Sequence, residues 1–262
     1  MKAPRLLVRS LWSALALAWA APVDAAPVVV RLPEGNTRGF LVVRSVDGTV
    51  IGNGELRQTP AQALIESRLI LDFKDGSHRE EVVVFSQDKV FRVESYRLIE
   101  RGPTFPATVD VAFDRKSGQY RARLQERKGG EEQSASGALE MPADLYNGMP
   151  LVLLKNLVEG ERVGAQMAVF LPKPRLIRMD LIPEGEDRAR IGGNALTARR
   201  YLSRLQIGGL TGVIASLIGK DPPDSRYWLI SGDVPAFARF EGAMFLNGPF
   251  WRIEMTTVEW PR

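Results

Sequence analysis

The sequence predicts a mostly β protein: one large, curved antiparallel sheet, half-barrel or sandwich-like, carrying a short helical insertion. Three observations lead there. Short runs with period-two alternation recur along most of the chain, and two-residue or four-residue turn signals separate them. Helical periodicity is confined to one segment near 142–158. Zero cysteine removes disulfide staples, so a chain of 262 residues has to be held by its own core.

The first strands are read at Val28–Leu32 and Arg38–Val46. Asp47-Gly48 follows, a dipeptide suited to the positive φ angles of a tight hairpin. Lys74-Asp75-Gly76-Ser77 separates Leu64–Phe73 from Glu81–Phe85, and Ser86-Gln87-Asp88-Lys89 leads into Val90–Glu100. Val109–Asp114 and Gln119–Arg127 flank Arg115-Lys116-Ser117-Gly118. In that pair Val109, Val111, Phe113, Tyr120, Ala122 and Leu124 share one face, and charged residues fill the other. This is a meander of hairpins.

Lys128–Gly137 is polar and glycine-flanked, which predicts an exposed loop. The β rhythm then breaks. Leu145, Met149, Val152, Leu153 and Leu157 recur at roughly helical spacing, with Pro150 as an interruption, so one helix or two short pieces are expected to lie across the sheet. Strands resume at Arg162–Leu171 and Arg175–Ile182, where Ile177, Met179 and Leu181 alternate with Arg178 and Asp180. Pro183-Glu184-Gly185-Glu186 reads as a turn. Ala195–Ile207, Tyr227–Ser231, Ala236–Phe245 and Phe250–Val258 complete the series, the last two joined by Leu246-Asn247-Gly248-Pro249 with glycine expected at the positive φ. No linker marks a boundary, so residues 26–262 read as a single domain.

Residues 1–25 read as a cleaved signal peptide. Lys2, Arg5 and Arg9 precede the apolar run Leu11–Ala21, and the small residues of Val23-Asp24-Ala25 fit a cleavage site. That run is too short for a membrane span, and no later one reaches the length needed. A periplasmic protein without a transmembrane segment is the expectation. Lys2, Arg5, Arg9 and Asp24 account for half of the formal net charge of +4. The remainder is too small for a nucleic-acid binder, which carries a basic stripe.

Few chemistries fit. The single histidine, His78, reads as a solvated turn residue and cannot build a histidine metal site alone. There is no G-x-S-x-G elbow and no alternating acidic calcium loop. Gly192-Gly193 and Gly208-Gly209 lack phosphate-loop spacing. Glu241 and Glu254 are the best carboxylate pair for a glycan hydrolase, but Arg239 and Arg252 share their faces, so cross-strand ion pairs explain them. No catalytic residue, metal ligand or cofactor is assigned.

The most unusual stretch is Ile207–Asp224. It is uncharged up to Gly219 and ends at Lys220-Asp221-Pro222-Pro223-Asp224. Such a stretch either plugs the open face of a sheet or meets something apolar. Aromatic residues crowd the C-terminal strands, as core or as a lipid or carbohydrate platform. The expected function is therefore a non-enzymatic binding or carrier protein for an apolar, lipid-like molecule. Leu210, Val213, Ile214, Leu217 and Ile218, with Leu153, Trp228 and Trp251, would form the ligand site. The alternative is an envelope adaptor that binds a protein partner and no ligand.

The segment from Ala195 to Arg262 also carries a resemblance. Gly212-Val213-Ile214-Ala215, Ile218-Gly219-Lys220-Asp221-Pro222-Pro223-Asp224, Tyr227-Trp228-Leu229-Ile230 and Gly248-Pro249-Phe250-Trp251-Arg252-Ile253-Glu254 resemble an uncharacterised family of secreted β-sheet proteins of Gram-negative bacteria. The resemblance implies an envelope location and no catalytic residues. In plan alone, a sheet with a covering helix is similar to the lipoprotein-carrier half-barrels, which hold acyl chains on a concave apolar face.

Overall fold

A computed structural model describes residues 27–127, 129–191, 194–206, 222–232 and 235–259. The chain runs β1 (Thr37–Ser45), β2 (Val50–Ala61), β3 (Leu64–Phe73), β4 (His78–Gln87), β5 (Phe91–Arg101), β6 (Ala107–Asp114), β7 (Gln119–Glu126) and β8 (Gln133–Ala138). After α1 (Pro150–Lys155) come β9 (Val163–Leu171), β10 (Lys173–Ile191), β11 (Asn194–Gln206), β12 (Ser225–Ile230), β13 (Ala236–Ala243) and β14 (Phe250–Glu259). All belong to one 14-stranded antiparallel sheet in the order β8-β7-β6-β5-β4-β3-β2-β1-β14-β13-β12-β11-β10-β9. Two meanders, β1 to β8 and β9 to β14, are thus fused through the β1–β14 ladder, and β8 and β9 are the margins of an open sheet.

The turn dipeptides do what their chemistry predicts, and the departures have physical causes. Lys128–Gly137 is not all loop. Gln133–Ala138 pairs with β7 as a marginal strand, almost wholly exposed, whose backbone hydrogen bonds take the place of burial. Pro183-Glu184-Gly185-Glu186 is not a turn. β10 runs on through it with a register shift between Pro183 and Gly185, a bulge at which Gly185 holds φ 101°. In the β13–β14 turn the positive φ falls on Asn247 (57°), and Gly248 serves another need, since a Cβ there would lie 2.9 Å from the Phe245 ring.

Pro150 does not interrupt the helix but begins it, its fixed φ suiting the first turn. Within the 142–158 segment only Pro150–Lys155 is helical. The preceding residues line the margin of β9 instead. Leu145 bridges Gln166 in parallel, the Tyr146 amide donates to the Gln166 carbonyl (2.8 Å), and the Asn147 side chain exchanges two hydrogen bonds with Ala168 (2.8 and 2.9 Å). The free edge of β9 is covered by these groups.

The connection from β8 to β9 crosses the concave face, and the main core forms around it. Leu145, Tyr146, Met149, Val152, Leu153 and Leu154 pack with Val83, Phe85, Phe91 and Val93 from one meander and with Ala165, Met179 and Leu181 from the other. The Tyr146 hydroxyl accepts from the Val28 amide (2.9 Å) and donates to the Phe91 carbonyl (3.0 Å), fixing the N-terminal segment against β5. The side chain of Asn156, after α1, accepts from the amides of Arg31 and Leu32 (2.8 and 2.7 Å).

A second cluster joins the meanders where β1 meets β14: Leu41, Val43, Leu71, Phe73, Trp251, Ile253 and Met255, closed by Phe105 and Phe240. The alternation of Trp251, Ile253 and Met255 is borne out. On the opposite face, the far half of the β10–β11 hairpin reaches over β12 and β13 as far as β14. Ala189, Ala198, Trp228 and Ala238 pack together there.

Candidate functional site: a cavity inside the curled sheet

The inward face of β4 begins with Arg79 and Glu81 and continues with Val83 and Phe85, the period-two face that the sheet turns toward its concave side. On β5 the apolar residues Phe91 and Val93 change phase across a register shift opposite Val84/Phe85, so Tyr96, Leu98 and Glu100 point inward after it. Between these strands, β9–β14 and α1 lies a cavity of ≈ 820 Å³. Its walls are largely aliphatic and aromatic, with Leu69, Leu98 and Val109 from one meander facing Met179, Leu205 and Phe237 from the other. Pro150, Leu151 and Val152 of α1 and the segment Leu32–Gly39 also border it. Size and lining are those of a pocket for a small apolar molecule.

A cluster of buried charged groups lies in the wall. Arg79 and Glu100 are direct partners across the β4–β5 ladder, both side chains are 6 % exposed, and Nη1 of Arg79 donates to Oε1 of Glu100 and to the Met244 carbonyl (3.1 Å). Glu81 Oε1 accepts from the Tyr96 hydroxyl (2.7 Å) and lies 3.7 Å from Nη2 of Arg79. Nε of Arg79 is buried without a partner among the described residues. Burial raises Glu100, with the Arg79 charge opposing that and the Glu81 charge adding to it. Tyr96 is pushed well up by burial and by the Glu81 carboxylate. Burial works against the charge on Arg79, but Glu100 and Glu81 outweigh it, and the guanidinium stays ionised. Tyr227, also on the wall, is raised by burial in the first place.

At the N-terminal border, Lys155 of α1 pairs with the buried Glu34 (2.5 Å), whose backbone is clamped by the Gln87 side chain (2.7 and 2.9 Å). Arg38 pairs with Glu55 (3.0 Å).

The residues expected at the ligand are placed differently from one another. Leu210, Val213, Ile214, Leu217 and Ile218 lie outside the described residues, as do the signal segment, both glycine pairs and Trp260. Leu153 is fully buried in the core beneath α1, beside cavity-lining Val152. Trp251 sits in an aromatic cluster with Phe73 (4.8 Å), Phe245 (5.7 Å) and Phe105 (6.2 Å between ring centres). Trp228 faces away from the cavity, its indole N–H donating to Asp187 (2.9 Å) and its ring covered by Arg239 (4.0 Å). None of these three is among the described residues that border the cavity.

Sequence reasoning missed the Arg79, Glu81, Tyr96 and Glu100 cluster. The signal was present, because Arg79 and Glu81 fall in phase with Val83 and Phe85, and reading β4 from Glu81 left Arg79 in the turn. His78 is likewise the first residue of β4, half-buried, with Nδ1 2.7 Å from Asp72. Glu241 carries the expected ion pairs, with Arg252 across the ladder (2.8 Å) and Arg239 on its own strand (3.7 Å), whereas Glu254 pairs with Arg44 of β1 (3.1 Å) instead. Among the described residues no group of three or more His, Asp or Glu is arranged to hold a metal. No protein-family model matches the chain, and no curated protein matches it.

Proposed function

We propose that the protein is a periplasmic carrier or binding protein that holds an apolar, lipid-like molecule inside the curled sheet. The observation that supports this most directly is the ≈ 820 Å³ cavity walled by Leu69, Leu98, Val109, Met179, Leu205 and Phe237. Close packing is the rule in protein interiors, and an apolar space of this size costs stability unless a ligand fills it. The signal-peptide pattern of residues 1–25 supports the compartment.

The test is native mass spectrometry of protein purified from the periplasm, organic extraction of whatever it carries, and titration with the apolar dye Nile red. A bound lipid, lost in Leu205→Trp while the β-sheet circular dichroism is kept, is the expected result. A ligand-free mass together with no dye binding would sink the carrier reading and favour the envelope adaptor, to be pursued by crosslinking.

A further inference from the structure

The polar cluster in the cavity wall is unbalanced in a way that bears on the ligand. This inference rests on the carrier reading. In the cluster, one guanidinium faces two carboxylates. Glu100 is engaged directly, but Glu81 is held at 3.7 Å from Arg79 and takes its one hydrogen bond, on Oε1, from Tyr96. Oε2 of Glu81 has no partner among the described residues, and the side chain keeps 16 % of its surface exposed on the cavity face. Nε of Arg79 also lacks an acceptor but is sealed from the cavity, whereas Nη2, 3.7 Å from Glu81, makes no hydrogen bond among the described residues and is not sealed. A buried polar group left unpaired costs on the order of 1–3 kcal/mol, so native interiors rarely keep one without a reason.

The guanidinium is therefore one acceptor short and the neighbouring carboxylate one donor short. A hydroxyl group supplies both from a single atom, donating its proton to Glu81 and offering a lone pair to Arg79. An ammonium group would be drawn by the two carboxylates, but it has no lone pair to offer and would leave Nη2 of Arg79 unpaired beside its own positive charge. A carboxylate has no proton to give and would face Glu81 and Glu100. We propose that the cavity selects an amphiphile with a neutral hydroxyl group, seated at Glu81 and Arg79 with its hydrocarbon chain along the apolar walls. A long-chain alcohol or a monoacylglycerol-like lipid belongs to this class.

The other charges on the lining do not provide an equivalent seat. Lys155 is paired with Glu34 and Arg38 with Glu55, while Arg175 is exposed at the start of β10, where water and salt screen it. If Arg175 governed recognition, a fatty carboxylate would be preferred, and the same experiment reads that out.

Nile red bound to the full-length mature protein is displaced with dodecanol, dodecylamine and dodecanoate below their critical concentrations. The wild type is compared with Glu81→Leu and with Glu80→Gln, a change on the other face of the same strand. Dodecanol is expected to displace the dye at about tenfold lower concentration than either charged probe, as one well-made hydrogen bond implies. In Glu81→Leu its affinity should fall about tenfold while that of dodecanoate holds or rises, and Glu80→Gln should match wild type. Tyr96→Phe gives a second reading should Glu81→Leu fail to fold. It frees Oε1 of Glu81, so dodecanol should bind at least as tightly. Dodecanoate preferred by the wild type, unchanged dodecanol binding in Glu81→Leu, or weakened dodecanol binding in Tyr96→Phe would each overturn the proposal. Dye that binds but is displaced equally by all three probes defeats the hydroxyl selection alone, whereas dye that never binds defeats the carrier reading.

Discussion

Tyr120 on β7 and Phe170 on β9 meet with their ring centres 6.2 Å apart, although their strands lie at opposite ends of the sheet order. No ladder joins the two margins. The sheet is curled by its own twist and by bulges until side chains, rather than backbone hydrogen bonds, bring the margins together over the core. The cavity depends on that contact, because its two walls come from different meanders.

Phe170→Ala should therefore cost about 3 kcal/mol or more by urea unfolding, as expected for a buried aromatic. The double-mutant cycle with Tyr120→Ala should leave a coupling of roughly 0.5–1.5 kcal/mol. Strict additivity would show that the margins do not hold each other.

Two neighbours on α1 should behave differently. Leu153 is fully buried in the core, so Leu153→Ala should destabilise by about 2–5 kcal/mol. Leu151 is half-buried on the cavity border, so Leu151→Ala should cost roughly 1 kcal/mol or less and mainly alter Nile red affinity. Equal losses of stability would mean that the helix does not separate core from cavity.

Arg79→Met removes one partner of a buried ion pair and leaves Glu100 uncompensated, which should cost about 3–5 kcal/mol. Arg79→Met with Glu100→Leu should recover part of that loss, because the buried charge of Glu100 is gone and Glu81 keeps the hydrogen bond from Tyr96. Chemical denaturation of the three proteins decides the matter, and a double variant no more stable than the single one would contradict it.

The pH dependence has a definite sign. Burial raises Glu100 above its ordinary 4.5 in the folded state, so there the folded protein holds a proton that the unfolded chain releases. Its contribution is complete below pH 4.5 and is lost as pH rises through the folded pKa. Glu100→Gln should remove that decline from urea midpoints measured upward from pH 4.5. Asp187 acts oppositely. The Trp228 indole holds it below 3.8, so its contribution is present above 3.8 and lost as pH falls through the lowered value. Asp187→Asn should therefore lower the urea midpoint throughout the neutral region and flatten the acid limb.

By itself the sequence determined most of the strands and turns, although Val28–Leu32 forms only an isolated bridge at Val29 and β8 lies in a stretch that reads as loop. Alternation such as Ile177, Met179 and Leu181 against Arg178 and Asp180, and turn residues such as Asp47-Gly48, act within a few positions and can be read locally. It also limited the chemistry, since a chain without cysteine and with one histidine has few nucleophiles or ligands to offer. Only the tertiary structure decided that β1 pairs with β14, because that ladder joins residues some two hundred positions apart and no local pattern encodes such a partner. The face each strand turns inward was also decided there: bulges at Glu94 and at Pro183/Gly185 shift the phase, and a single residue's shift exchanges core for solvent. On β5 that shift turns Glu100 inward to join Arg79 and Glu81, which lie in phase with Val83 and Phe85 on β4, in the wall of an apolar cavity.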